Sequence, residues 1–105
     1  MTIQPPGSHV HLPLDALNSF CRKWRIQELA LFGSVLREDF SPESDVDVLV
    51  TFDQEAPWSL WDVLDMRGEL EQMLGRRVDL VEKDAIRNPF RRREILRTRQ
   101  VIHAA

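Results

Sequence analysis

The chain reads as a small α/β (α+β) domain, a central mixed sheet flanked by helices. Three observations predict it. Short apolar runs closed by glycine or polar loops alternate with longer segments whose apolar residues recur at helical spacing. The 105 residues hold one hydrophobic core. A composition of 43% hydrophobic and 30% charged residues is that of an ordinary soluble domain, without internal repeats or low-complexity tracts.

The elements follow in order. Residues 1–12 carry two adjacent prolines and two histidines without periodicity, and are expected to be a flexible lead-in to a single domain over 13–105. From Pro13 to Trp24, the spacing of Leu14, Leu17 and Phe20/Cys21 predicts a helix, with Pro13 suited to its first turn. Gln27–Phe32 is a short apolar strand ending at Gly33. Ser34–Arg37 opens a short helix, and Phe40–Ser44 is a loop by its proline and serines. Asp45–Phe52, rich in valine, is the clearest strand. Leu60, Val63, Met66, Leu70 and Met73/Leu74 mark an amphipathic helix over Trp58–Leu74 that Gly75 ends. Val78–Glu82 is a third strand. Asn88-Pro89 starts a last helix through about Thr98 with Phe90, Ile95 and Leu96 as anchors, and Val101-Ile102 adds a short strand or packs as a tail.

Composition also narrows the function. One cysteine, Cys21, excludes an internal disulfide and makes a reducing cytoplasm the expected setting. No apolar stretch approaches a membrane span, and an export pattern is not expected. Net charge is −3, so no global basicity points to nucleic acid. The charge is uneven: carboxylates gather between Glu38 and Glu71, whereas Arg87, Arg91, Arg92, Arg93, Arg97 and Arg99 crowd the C-terminal segment. That cluster reads equally as a solvated helix face or as a surface for phosphate or an acidic partner.

The chemistry lies in Gly33-Ser34 and, twelve positions on, Asp45-Val46-Asp47. Side chains alternate along a strand, so Asp45 and Asp47 point the same way while Val46, Val48, Val50 and Phe52 pack against helices. Two like charges side by side call for a cation. Magnesium suits them, because it takes hard oxygen ligands and completes its shell with water and substrate phosphates. Gly33 lets the backbone turn sharply beside a ligand, and Ser34 at a helix start offers N–H and hydroxyl donors to phosphate oxygens. Asp79, in the strand Val78–Glu82, is a third carboxylate. Beside the first two it would bridge a second metal and help deprotonate an attacking hydroxyl. Each piece alone is an ordinary turn or strand-end residue; the ordered set points to metal-dependent transfer from a nucleoside triphosphate.

Leu31-Phe32-Gly33-Ser34-Val35-Leu36-Arg37, followed by Ser44-Asp45-Val46-Asp47-Val48-Leu49-Val50, resembles the minimal nucleotidyltransferases of the polymerase-β superfamily. The resemblance extends through the Asp79 strand to Asn88-Pro89-Phe90. Many such proteins are antitoxins paired with a HEPN-domain ribonuclease toxin. The resemblance implies a polymerase-β-like core in which Gly33 and Ser34 bind the triphosphate, while Asp45, Asp47 and Asp79 hold two Mg²⁺ ions and form the catalytic triad. Arg37 occupies the family's arginine position, to contact phosphate or acceptor; a salt bridge to Asp39 or Glu43 is the alternative. The chain departs from the pattern in having Leu36 and Glu38 around that arginine, where a small residue and glycine are usual.

The implied activity is transfer of AMP from ATP to a hydroxyl, a tyrosine of the cognate HEPN toxin, which silences it. A chain of this length is expected to leave acceptor recognition largely to the partner. The alternative is a non-catalytic antitoxin that occludes its toxin, with Trp58, Trp61 and the C-terminal arginines as docking elements. Core packing is the competing expectation for Trp61, and Trp58, near a loop, is the more open of the two. Direct nucleic-acid binding through the arginines is the weakest reading, for no DNA-reading helix pair is evident.

Overall fold

The computed structural model describes residues 2–3, 12–36 and 44–104. A two-residue ladder pairs β1 (Thr2–Ile3) antiparallel with β2 (Leu12–Pro13), so the expected lead-in is partly tied down. The rest of that segment lies outside the described residues. Helix α1 (Leu14–Lys23) leads into β3 (Ile26–Phe32), and a short 3-10 helix over Gly33–Leu36 stands where a short helix was expected from Ser34. Then come β4 (Val46–Phe52), α2 (Leu60–Leu74), β5 (Val78–Glu82), a 3-10 turn at Lys83–Ala85, α3 (Pro89–Thr98) and β6 (Gln100–Ala104). Val101-Ile102 is thus part of a strand.

The main sheet is four-stranded and mixed, in the order β5-β4-β3-β6. β3 pairs antiparallel with both β4 and β6, while β4 and β5 run parallel. A parallel pair needs a crossover, and α2 supplies it. Local chemistry sets that helix's limits. The Ser59 hydroxyl accepts the Asp62 N–H and the Asp62 carboxylate accepts the Ser59 N–H, a reciprocal cap, while Gly75 closes the far end in the left-handed conformation.

Helices cover both faces of the sheet. On one face Leu29, Leu31, Val46, Val48, Val50 and Val78 pack with Leu17, Phe20 and Cys21 of α1 and Met66 and Leu70 of α2. Each large side chain fully buried there contributes about 1.5–3 kcal/mol. On the other face Ala30, Phe32 and Leu49 meet Ile86 and Ile95, with Val81 and Leu96 at the margin, so α3 lies over this side. The Val46/Val48/Val50 face therefore packs as expected, but the opposite face carries a helix as well.

Two expectations about aromatic residues are corrected. Phe90 is 81% exposed and belongs to neither core cluster among the described residues. It lies in the first turn of α3, on the side away from Ile95. The tryptophans exchange roles. Trp61 is 75% exposed, because it falls with Leu60 and Leu64 on an arc of α2 beside the Met66/Leu70 stripe. Trp58 turns inward: its indole N–H donates to the Trp24 carbonyl at 2.7 Å, and its ring meets that of Trp24 edge-on at 5.1 Å.

Candidate active site

The site is built where β3 ends and β4 begins. In the antiparallel register Phe32 lies opposite Asp47, so the turn that follows Phe32 is delivered against the Asp47 side chain. Gly33 makes that turn with φ +70°. A side chain is excluded there twice over, for a Cβ on Gly33 would stand 2.4 Å from Asp47 Oδ2. The Ser34 N–H donates to the same Oδ2 at 3.4 Å, and the Ser34 hydroxyl donates to the Asp45 carbonyl, also at 3.4 Å. These are long bonds that hold the turn and strand together while leaving donors near the mouth of the site.

The parallel register adds the third acid. Asp47 is the register partner of Asp79, as Val46 is of Val78. Alternation places Asp47 on the side of Leu49, and Asp79 on the side of Val81, which is the α3 face. Asp79 and Asp45 are exposed, and Asp47 is half-buried. Gly33, Ser34, Asp45 and Asp47 are thus brought together, with Asp79 one strand away. Arg37 lies outside the described residues.

The acids form a pair with a neighbour rather than a closed cage. Among the described residues no three acid, histidine or cysteine side chains gather as a metal-binding group. The donor set nonetheless suits Mg²⁺, which keeps waters and takes the rest of its shell from substrate phosphates. Asp45 and Asp47 supply hard oxygens at an accessible strand end, and the absence of a side chain at Gly33 lets the Asp47 carboxylate lie directly against the turn.

One residue of the site was not singled out from the sequence. Arg77, just before β5, sets its Nε 3.2 Å from Asp45 Oδ1, and its carbonyl accepts the Val46 N–H at 2.9 Å. The signal was present: Arg77 stands two positions before Asp79, on the same side of the extended chain.

A cleft of about 370 Å³ adjoins the turn, lined by Phe32, Gly33 and Leu36 on one side and Glu94, Ile95 and Thr98 of α3 on the other. Its size lies within the range of small-molecule sites. A larger hollow between α1 and α2, lined by Phe20 and Met73 among others, opens on the helix pair that covers the opposite face from the acids. Of the C-terminal arginines, three have structural employment. Arg92 donates to the Lys83 carbonyl, Arg97 pairs with Glu94 in the next turn back, and Arg99 grips Glu28 on β3. Among the described residues no helix is long and apolar enough to cross a membrane.

Comparison with known proteins agrees with this geometry. Residues 15–102 match the family model of the nucleotidyltransferase domain. A provisionally named protein adenylyltransferase of Methanocaldococcus jannaschii is 38% identical over 73 residues, 70% of this chain and 73% of that protein. Protein adenylyltransferase MntA of Thermococcus cleftensis is 39% identical over 66 residues, 63% of this chain and 65% of the relative. Among solved structures, one provisionally described as a minimal nucleotidyltransferase has a TM-score of 0.69 at 32% identity, covering 83% of this chain and 86% of that one. A toxin–antitoxin crystal structure with AMP-PNP has a TM-score of 0.70 over 90% of this chain and 75% of that chain; at 18% identity this likeness speaks to the fold alone. The chain belongs to the nucleotidyltransferase-domain family.

Proposed function

From membership in this family, we propose that the chain transfers AMP from ATP to a hydroxyl of a partner protein, a tyrosine of a HEPN-class toxin, and silences it. One observation carries the reading. The Gly33 turn is shaped around the Asp47 carboxylate, with no room for a side chain and with the Ser34 N–H facing the same oxygen. A turn and acid fitted to each other in this way suit a phosphate chain and its counter-ion in one place. The names of the relatives, protein adenylyltransferases, and the AMP-PNP in a structural neighbour support the same nucleotide and acceptor class.

In this reading Asp45 and Asp47 hold Mg²⁺, and Asp79 completes the triad toward a second ion. The metal would supply charge neutralisation on the phosphates. Ser34 and the Gly33 backbone orient the triphosphate, with Arg37 as a further contact. The acceptor oxygen forms a bond to the α-phosphorus as the bond from that phosphorus to the bridging oxygen breaks. Pyrophosphate leaves with the electron pair, and Asp79 takes the acceptor's proton. Residues 13–105 act as a single catalytic domain.

The test is incubation with each of the four nucleoside triphosphates, Mg²⁺ and the toxin, followed by intact-protein mass measurement. The toxin is expected to gain the mass of AMP from ATP, on a tyrosine identified by peptide mapping. No added mass with any triphosphate would overturn the reading.

A further inference from the structure

We propose that α2 carries a self-complementary docking surface: two copies of the chain pair their α2 helices antiparallel about a twofold axis, and Trp61 of each copy seats over Gly68 of the other. Helix α2 covers the face of the sheet opposite the acids, so a dimer built on it leaves both transfer sites open.

Three features of the geometry carry it. The first is an outward apolar seam. Met66 and Leu70 of α2 are buried against the sheet, whereas Leu60, Trp61 and Leu64 are 71%, 75% and 40% exposed. At about 100° of rotation per residue, Trp61 and Gly68 project directly away from the Met66/Leu70 stripe, with Leu64 between them along the helix. The second is a knob and a notch on the same helix. A Cβ on Gly68 would meet nothing within 4 Å among the described residues, so the surface there is bare. Trp61 and Gly68 stand seven positions apart, roughly 10 Å along the axis, and their midpoint falls between Leu64 and Asp65. A twofold axis at that midpoint sets Trp61 against Gly68 in both directions at once and brings the two Leu64 side chains together. The third is the hollow of about 460 Å³ between α1 and α2, whose wall includes Phe20, Gln72 and Met73. Gln72 lies one turn beyond Gly68. Long helical side chains lean toward the N-terminus of their own helix, which for an antiparallel neighbour is toward the C-terminal half of the facing α2. The incoming indole therefore leans from the notch toward the hollow, where Phe20 and Met73 are apolar and Gln72 offers its N–H an acceptor.

Charge agrees at the same place. Lys23 lines the hollow with its side chain 56% exposed, and the twofold brings Asp62, in the first turn of the second copy's α2, toward that rim. The area sets the strength. A buried indole covers about 150–250 Å², so two of them with the flanking leucines stay below about 1,200 Å² in total, the range of weak and exchanging complexes. The pairing is thus reversible and concentration-dependent, and each copy keeps a core of its own.

The experiment is sedimentation velocity of the full chain, without toxin, from about 5 to about 500 µM. The wild type is expected to pass from monomer to dimer within that range. Trp61→Ala is expected to weaken the dimer roughly 30-fold or more, because each dimer loses two buried indoles. Gly68→Gln fills the notch and is expected to weaken it by a similar factor. Its thermal midpoint should nevertheless rise above that of the wild type, since glutamine is the better helix former and a Cβ at Gly68 meets nothing. Weaker association with a more stable fold separates lost docking from damaged folding. Leu64→Cys is expected to give a disulfide-linked dimer on mild oxidation, for Cys21 is buried and does not compete. A wild type that stays monomeric over the whole range overturns the proposal, as does a dimer that neither Trp61→Ala nor Gly68→Gln weakens. A monomeric wild type whose binding to the toxin is lost in Trp61→Ala overturns it too, and gives the patch to the toxin.

Discussion

Replacing Gly33 by alanine separates what the turn demands of the backbone from what it demands of space. Gly33 has φ +70°, where an alanine is disfavoured by about 1–2 kcal/mol. The added Cβ would also stand 2.4 Å from Asp47 Oδ2, against an ordinary contact beginning at 3.4 Å, so the carboxylate must retreat by about 1 Å. A misplacement of that size costs on the order of 10²-fold in a reaction that depends on geometry. Gly75 supplies the control. Its φ is +66°, and a Cβ there meets nothing within 4 Å. Gly75→Ala therefore shares the backbone penalty without the displaced acid. Both variants are expected to melt lower, by roughly 4–8 °C per kcal/mol lost. Only Gly33→Ala is expected to lose transfer about 10²-fold, measured as nucleotide added to the partner hydroxyl below the melting transition. Wild-type transfer by Gly33→Ala, or an equal loss in Gly75→Ala, would show that the Asp47 contact at Gly33 does not govern transfer.

Three further outcomes follow from the packing. Ser59→Ala removes a reciprocal helix cap and is expected to cost about 1 kcal/mol in urea denaturation, with transfer per folded molecule unchanged, since the cap follows the far end of β4 from Asp45. Glu28→Gln weakens the grip of Arg99, whose Nε lies 2.7 Å from the carboxylate; both side chains are about a quarter exposed, and a loss of about 1 kcal/mol that shrinks with added salt is expected. Burial pushes the Cys21 thiol from its ordinary 9.0 up to about 12, so it should resist thiol reagents until the protein unfolds. Because the folded form favours the protonated thiol, its contribution to stability is whole below pH 9.0 and declines as pH rises toward about 12. Urea midpoints should fall less over that range in Cys21→Ala than in the wild type, and identical declines would contradict the assignment.

The parts of the molecule that local chemistry dictates were legible in the sequence. Period-two alternation puts Asp45 and Asp47 on one side and the valines on the other, and β4 forms where that pattern lies. Gly75 marks the end of α2 for a backbone reason that no tertiary contact can override. What escaped was set by long-range packing. Helical spacing shows that α2 and α3 each have an apolar arc, but not which arc the sheet will cover. Trp61 and Phe90 were therefore misplaced, and the inward turn of Trp58 onto Trp24 spans a separation that no local pattern records. The pairing of Asp47 with Asp79 needs the parallel register, which the sequence does not specify. The Arg77–Asp45 contact follows from the same register and was missed with it.

If Asp45 and Asp47 carry nucleotide transfer, and do not merely decorate a binding surface, their loss must abolish it. The most direct measurement compares the wild type with Asp45→Asn/Asp47→Asn for AMP added to the toxin, alongside circular dichroism and protection of cells from the toxin. A folded double variant with no added AMP and no protection is expected. Full protection by a variant that transfers nothing would show that occlusion neutralises the toxin. Undiminished transfer would remove Asp45 and Asp47 from the chemistry altogether.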